Sequence, residues 1–236
     1  MADRSNKMQQ QASGHTLKAF DEDIERLRAL ISQMGGLAEH AIEEAMRCLI
    51  QRDAQGAERV VADDTKLDTL EVETERRAVQ LIALRAPMAG DLRDVVAALK
   101  ISGVVERIGD YAKNIAKRVP LLDNVGKIEP LSLLPEMARI ATAMVHDVLD
   151  AFVERDAAAA MSVCERDQAV DDFYDSIFRT LLTHMMENPH NIGQSAHLLF
   201  VAKNLERVGD HATNIAEMVY YAATGEHMAE RVKSGV

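Results

Sequence analysis

"ERIGDYAKNIA" occupies residues 106–116, and "ERVGDHATNIA" occupies residues 206–216. The two stretches are near copies one hundred positions apart. In each, a glutamate stands four residues before an aspartate, and an asparagine follows four residues later. The sets are Glu106, Asp110, Asn114 and Glu206, Asp210, Asn214. Four residues make about one helical turn, so each set shares one helix face. Like charges at that spacing repel by roughly 0.2–0.5 kcal/mol. A chain that sets up this penalty twice has either solvent or a cation to absorb it.

The duplication reaches beyond these motifs. "QRDAQGAERVVADDTKLD" (51–68) aligns with "ERDAAAAMSVCERDQAVD" (154–171) at a constant offset of 103. Arg52, Asp53, Ala54, Asp64 and Asp68 meet Arg155, Asp156, Ala157, Asp167 and Asp171. The offset falls to 100 at the glutamate motifs, so repeat 1 carries three extra residues. The turn around "LRAPMAGD" (84–91) is the simplest place for them, opposite "MMENPHNI" (185–192).

Each unit reads as three helices. In repeat 1, helix A runs from about Phe20 to Arg52, with Ile24, Leu27, Ile31, Met34, Ala45 and Leu49 at helical spacing. Helix B runs from about Ala54 to Leu84. Helix C runs from Asp91 to about Val119 and stops at Lys117, Arg118 and Pro120. Residues 121–130 form the linker, and the plan repeats from about Leu133 to Ala223. The fold class expected is all-α, with two tandem three-helix bundles over 15–120 and 131–223. Parts of helices A and B are expected to pack across both units. Residues 1–14 and 225–236 lack periodicity and are expected to be flexible tails.

Composition agrees with this. The 236 residues are 47% hydrophobic and 28% charged but only 4% aromatic, with no tryptophan, a balance that favours helices. A net charge of −11 argues against nucleic-acid binding. Cys48 and Cys164 have no metal-like spacing and read as small core residues. "MADRSNKMQQQASG" lacks an apolar core, and no run is long enough to span a membrane. A cytoplasmic protein is expected, with no direct membrane insertion.

On a helical wheel, Ile101, Val104, Val105, Ile108, Ala112, Ile115 and Val119 share the core side of helix C. Glu106, Asp110, Lys113, Asn114 and Lys117 fall opposite and are expected on the outer surface. Gly109, inside a helix, costs about 1 kcal/mol relative to alanine. Its place in both repeats suggests close approach of a backbone or ligand, or tight helix packing. Asp64, Asp68, Glu71 and Glu75 form a matching row on helix B, which shrinks to Asp167 and Asp171 in repeat 2. If B and C are neighbours, these rows converge on one groove. Carboxylates without thiolates suit Mg, Ca, Mn or Fe, and His211 beside Asp210 would widen the choice to Fe or Zn. A solvated polar face is the alternative, but repetition favours cation binding or partner docking.

The repeats differ in charge. Lys113 and Lys117 stand where repeat 2 has Thr213 and Glu217. Repeat 2 is therefore expected to hold a divalent ion more tightly, although Glu71 and Glu75 give way there to Tyr174 and Phe178.

"LKISGVVERIGDYAKNIAKR" (99–118) and "LLFVAKNLERVGDHATNIAE" (198–217) resemble the twin signature of the PhoU family, phosphate-specific transport system accessory proteins. "GDLR" (90–93), "MGGLAEHA" (34–41) and "HTLKAFDEDIERLR" (15–28) extend the resemblance over about 15–226. Val105 departs from the leucine common in the family without threatening the site. The resemblance implies two pseudo-symmetric three-helix bundles and a cytoplasmic adaptor that represses the phosphate-starvation response. It implies action between the ATPase subunit of the phosphate ABC transporter and the sensor histidine kinase of the regulon. It also implies metal binding through Glu106/Asp110 and Glu206/Asp210, with Asn114 and Asn214 matching as well. Asp64, Asp68, Asp167, Asp171, His211 and Glu217 are further candidate ligands, and a homodimer is expected. The protein is expected not to be an enzyme. Two other readings remain open, a ferritin-like carboxylate oxidase and a purely structural scaffold. The first requires inward Glu-x-x-His motifs, for which only "ENPH" (187–190) is available.

Overall fold

An Arg-Asp-Ala tripeptide closes the first helix of each repeat. Helix α1 (Ala2–Gln51) ends where Arg52 turns to φ 56°, and its counterpart α5 (Leu134–Glu154) ends where Arg155 turns to φ 57°. The following aspartates cap the next helices. Asp53 accepts the Gly56 N–H at 2.8 Å and opens α2 (Ala54–Asp63). Asp156 accepts the N–H groups of Ala158 and Ala159 at 2.8 and 2.9 Å and opens α6 (Ala157–Glu165). Each cap stabilises its helix by about 1 kcal/mol.

The computed structural model describes residues 2–122 and 132–229, with side chains from residue 19 onward. Its order continues with α3 (Thr65–Arg85) and α4 (Ala89–Ala116) in repeat 1, then α7 (Asp167–Glu187) and α8 (Ile192–Thr224) in repeat 2. There is no strand among the described residues. Helix B is not continuous, contrary to expectation. It breaks at Asp64 in repeat 1 and at Arg166 in repeat 2. Near the first break the Thr65 hydroxyl bonds the Ala62 carbonyl at 3.1 Å, a local competitor of the helical ladder. Near the second, Arg166 reaches Asp147 at 2.6 Å.

Repeat 1 packs α1, α2, α3 and α4 together, and repeat 2 packs α5, α6, α7 and α8. The two then join through α4 against α8 and α1 against α5. Thus helices A and C, rather than A and B, bridge the units, and one core runs through both. Ile101, Val105, Ile108, Ala112, Ile115 and Val119 are buried as expected, while Val104 is half-buried. Burying each isoleucine contributes roughly 1.5–3 kcal/mol. Cys48 is also in this core, and Cys164 is half-buried against Met228.

Asp94 on α4 ties three elements together. Its carboxylate lies 3.1 Å from Arg28 of α1 and 3.2 Å from Arg155 at the end of α5. Burial pushes its carboxyl up from the ordinary range, against the pull of both guanidinium groups.

Helical backbone and packed side chains also occur outside the two repeats. Helical backbone begins at Ala2, in a segment of good helix formers that lacks an apolar stripe. After α8, Gly225 turns at φ 80°, His227 stacks on Tyr221 with ring centroids 4.7 Å apart, and Met228 packs on the core. Residues 123–131 of the expected linker and residues 230–236 lie outside the described residues. Among the described residues no helix is long and apolar enough to cross a membrane.

Candidate functional site

Gly109 sets the geometry of the repeat-1 groove. A Cβ at this position would collide with Leu67 Cδ1, so glycine lets α4 close on the α2–α3 break. This contact carries the helix B acids over those of helix C. Asp64 becomes buried beside Gly109, and Glu71 Oε1 lies 3.2 Å from where a Gly103 Cβ would stand. The two acidic rows converge as their spacing predicted, but the groove is partly buried rather than on the open surface.

Glu106 feels this most. Burial is the first cause that pushes its carboxyl up, to about 7, followed by the negative charges of Asp110, Glu71, Asp68 and Asp64. Lys113 answers part of that charge. Its Nζ donates to Asp64 at 2.5 Å and to Asp110 at 3.0 Å. These bonds hold the ammonium protonated, well above its ordinary range. Asn114 is half-buried one turn on, while Asp68 and Glu75 are exposed.

Repeat 2 builds a looser version. Asp167 is buried with Oδ1 3.5 Å from a notional Gly209 Cβ, and Val170 Cγ1 lies 3.4 Å from it. Asp171 and Asp210 are half-buried. Glu206 is paired with Lys203, whose Nζ stands 2.6 Å from the carboxylate and 5.1 Å from the Tyr174 ring centroid. The exchange of Lys113 and Lys117 for Thr213 and Glu217 thus does not leave this face without an ammonium. The i,i+3 spacing of Lys203 to Glu206 was the available signal. Among the described residues, Lys113 supplies an ammonium after the acids in repeat 1 and Lys203 supplies one before them in repeat 2.

Three candidates lie elsewhere. His211 turns to α4, away from the acids. Its Nδ1–H donates to the Arg207 carbonyl at 2.9 Å, leaving Nε2 to accept the Tyr111 hydroxyl at 3.4 Å. Both ring nitrogens are thus engaged, and burial first of all pulls its pKa below the ordinary histidine value. Asn214 and Glu217 are exposed and share the α4–α8 groove with His211. The "ENPH" stretch sits at the α7 end and the turn after it, with Glu187 and His190 exposed, so it offers no inward ligands.

The donors of both acidic grooves are oxygens, which suits hard cations. Among the described residues, however, no three of His, Cys, Asp or Glu form a ready metal-binding group. In repeat 1 Lys113 accounts for this in part, because its ammonium already bridges Asp64 and Asp110. An ion would enter by displacing it.

Comparison with known proteins gives a consistent result. The PhoU domain model matches residues 31–119 and again residues 134–219. The phosphate-specific transport system accessory protein PhoU homolog of Zymomonas mobilis is 55% identical over 220 residues, covering 93% of each chain. The homolog of Caulobacter vibrioides is 47% identical, covering 92% of this chain and 95% of its own. The crystal structure of PhoU from Pseudomonas aeruginosa superposes with a TM-score of 0.83 at 35% identity, covering 88% of this chain and 100% of that one. On both sequence and fold, the chain belongs to the PhoU family.

Proposed function

We propose that this protein is a cytoplasmic, non-enzymatic adaptor that represses the phosphate regulon and restrains high-affinity phosphate uptake when phosphate is plentiful. It acts between the ATPase subunit of the phosphate ABC transporter and the sensor histidine kinase of the regulon. Near-full-length similarity to relatives named as phosphate-specific transport accessory proteins supports the phosphate role. The observation that carries the docking surface is the repeat-1 groove, where burial first, and then the converging acids, push the Glu106 carboxyl up to about 7.

In this reading the two acidic grooves bind divalent or trivalent ions, with Fe, Zn, Mg, Mn and Ca as the candidates. Glu106, Asp110 and Asp64 would hold the ion in repeat 1, with Asp68 and Asn114 at the rim. Glu206, Asp210 and Asp167 would do so in repeat 2, with Asp171 beside them. The ion supplies positive charge that offsets carboxylate repulsion. Lys113 and Lys203 perform that task in its absence and swing out on loading. A homodimer completes the proposal. Phe178, Leu182 and Met186, exposed on one helix, offer apolar area for it.

Replacing Glu106, Asp110, Glu206 and Asp210 together by alanine tests the reading. The variant is expected to keep its helical circular dichroism, because none of the four belongs to the core stripe. Cells carrying it are expected to express the phosphate regulon in high phosphate, and pull-down of the kinase or ATPase should fail. Normal repression by the folded variant would overturn the role of these grooves. Metal analysis of protein purified without added metal tests the ions, and light scattering tests the dimer.

A further inference from the structure

A second groove of opposite sign lies between α4 and α8, in a chain whose net charge is −11. It encloses about 520 Å³ and is lined by Arg93, Lys100 and Arg107 from α4. These three recur every seven residues, so they form one row about 21 Å long at 1.5 Å rise per residue. His211 and His227 border it, and among the described residues Glu217 is its single acidic side chain. Val104, Met218 and Tyr221 supply an apolar wall. Lys100 and Arg107 are exposed and make no ion pair with any described residue, although carboxylates abound elsewhere on the protein. Arg93 is fixed in place, donating to the Ala222 carbonyl at 3.4 Å with its guanidinium against Gly225.

Pseudo-symmetry provides an internal control. Positions one hundred residues on from Arg93, Lys100 and Arg107 are Gly193, Phe200 and Arg207. On that side Phe200 is covered by the Arg118 guanidinium, 3.9 Å from its ring centroid, and Arg207 lies 5.9 Å from the Tyr111 ring centroid. The Arg118 and Arg207 guanidinium groups there each face a ring, so the α4–α8 crossing does not by itself require cations left without a partner. Unpaired cations aligned in a concave site are an arrangement that receives an extended anion with several charges.

We propose that the α4–α8 groove is a binding site for a small oligophosphate anion, either inorganic or carried on a nucleotide. Lys100 and Arg107 contact its phosphoryl oxygens, and Arg93 anchors one end. The site is separate from the acidic grooves and does not depend on their role.

Titration calorimetry on the full chain, in EDTA so that no metal bridges the anion, tests this. The probes are orthophosphate, tripolyphosphate and ATP. Tripolyphosphate and ATP are expected to bind one per chain and orthophosphate much more weakly; tighter binding by ATP would identify the nucleotide as the source. Lys100→Gln and Arg107→Gln should each weaken binding about tenfold, as expected for loss of one charge-assisted contact. Arg207→Gln, on the opposite side, should change nothing. Absence of binding at millimolar tripolyphosphate and ATP overturns the proposal. So does unchanged affinity in the folded Lys100→Gln/Arg107→Gln double variant, or equal weakening by Arg207→Gln, which would mark diffuse surface attraction.

Discussion

Lys113 Nζ and the Asp64 carboxylate stand 2.5 Å apart, joining the break in helix B to the acidic face of helix C. Asp64 is among the few buried charged residues, so removing its partner leaves a carboxylate poorly solvated. Lys113→Thr is expected to destabilise the metal-free protein by about 2 kcal/mol. The same variant should gain more melting temperature from saturating Mn or Mg than the parent does, because a ligand that binds only the folded state stabilises it. Equal thermal shifts in variant and parent would show that the lysine does not compete with an ion.

Two titrations act in opposite directions. Glu106 has its carboxyl raised from 4.5 to about 7, so the folded state holds that proton more tightly than the unfolded chain. Its contribution is complete below pH 4.5 and is lost as pH rises through about 7. His211 is lowered from 6.5, so its contribution is complete above pH 6.5 and is lost on acidification below that. Glu106→Gln should therefore steepen the rise of stability with pH across this range, and His211→Gln should flatten it. Melting temperature against pH for the three proteins measures both slopes.

The paired glycines should respond differently to alanine. Alanine gains about 1 kcal/mol over glycine inside a helix. At Gly209 the new methyl would meet Val170 at ordinary contact distance, 3.4 Å, so Gly209→Ala should be stabilising or neutral. At Gly109 it would collide with Leu67, and over-packing costs about 1–3 kcal/mol. Gly109→Ala should therefore lower stability in urea unfolding.

Asp94 offers a test of the joint between the repeats. Asp94→Ala removes the carboxylate shared by Arg28 and Arg155, and losing its charge-assisted bonds, with both guanidinium groups still partly in solvent, should cost about 1–3 kcal/mol. Arg155→Ala leaves Arg28 in place and should cost less. Chemical denaturation of both variants checks the order.

Ile108 and Val208 are equivalent and both wholly buried. Ile108→Ala should cost about 2–4 kcal/mol through lost burial and an incompletely closed cavity. Val208→Ala removes fewer atoms and should cost less. A melting temperature unchanged by aspartate at either position would contradict the core assignment.

The features that sequence revealed were those carried by periodicity and local chemistry. The stripe from Ile101 to Val119 and the ends of helix A at Arg52 and Arg155 fall in this class. So does the meeting of Asp64 and Glu71 with Glu106, because spacing alone puts each acidic row on one face. The breaks at Asp64 and Arg166 carry no proline or glycine and arise where tertiary contacts meet the helix. His211 faces α4 because adjacency to Asp210 in sequence means a turn of about 100° around the helix. That rotation takes it to another neighbour. Lys203 escaped because alignment of the repeats directs attention to shared positions, and its counterpart is Gly103.

The α4–α8 contact also has a consequence in time. Tyr111 and His211 touch across it, their rings edge to face with centroids 5.1 Å apart, although 100 residues separate them. At about 5–20 residues per second, a ribosome delivers the second partner roughly 5–20 s after the first. Through that interval α4 can close only on its own repeat, with the face destined for α8 bare. Helix α8, made long after α4, thus completes the packing of the first half. A nascent chain truncated before residue 192 would present that uncovered face to chaperones, whereas one released at full length would not.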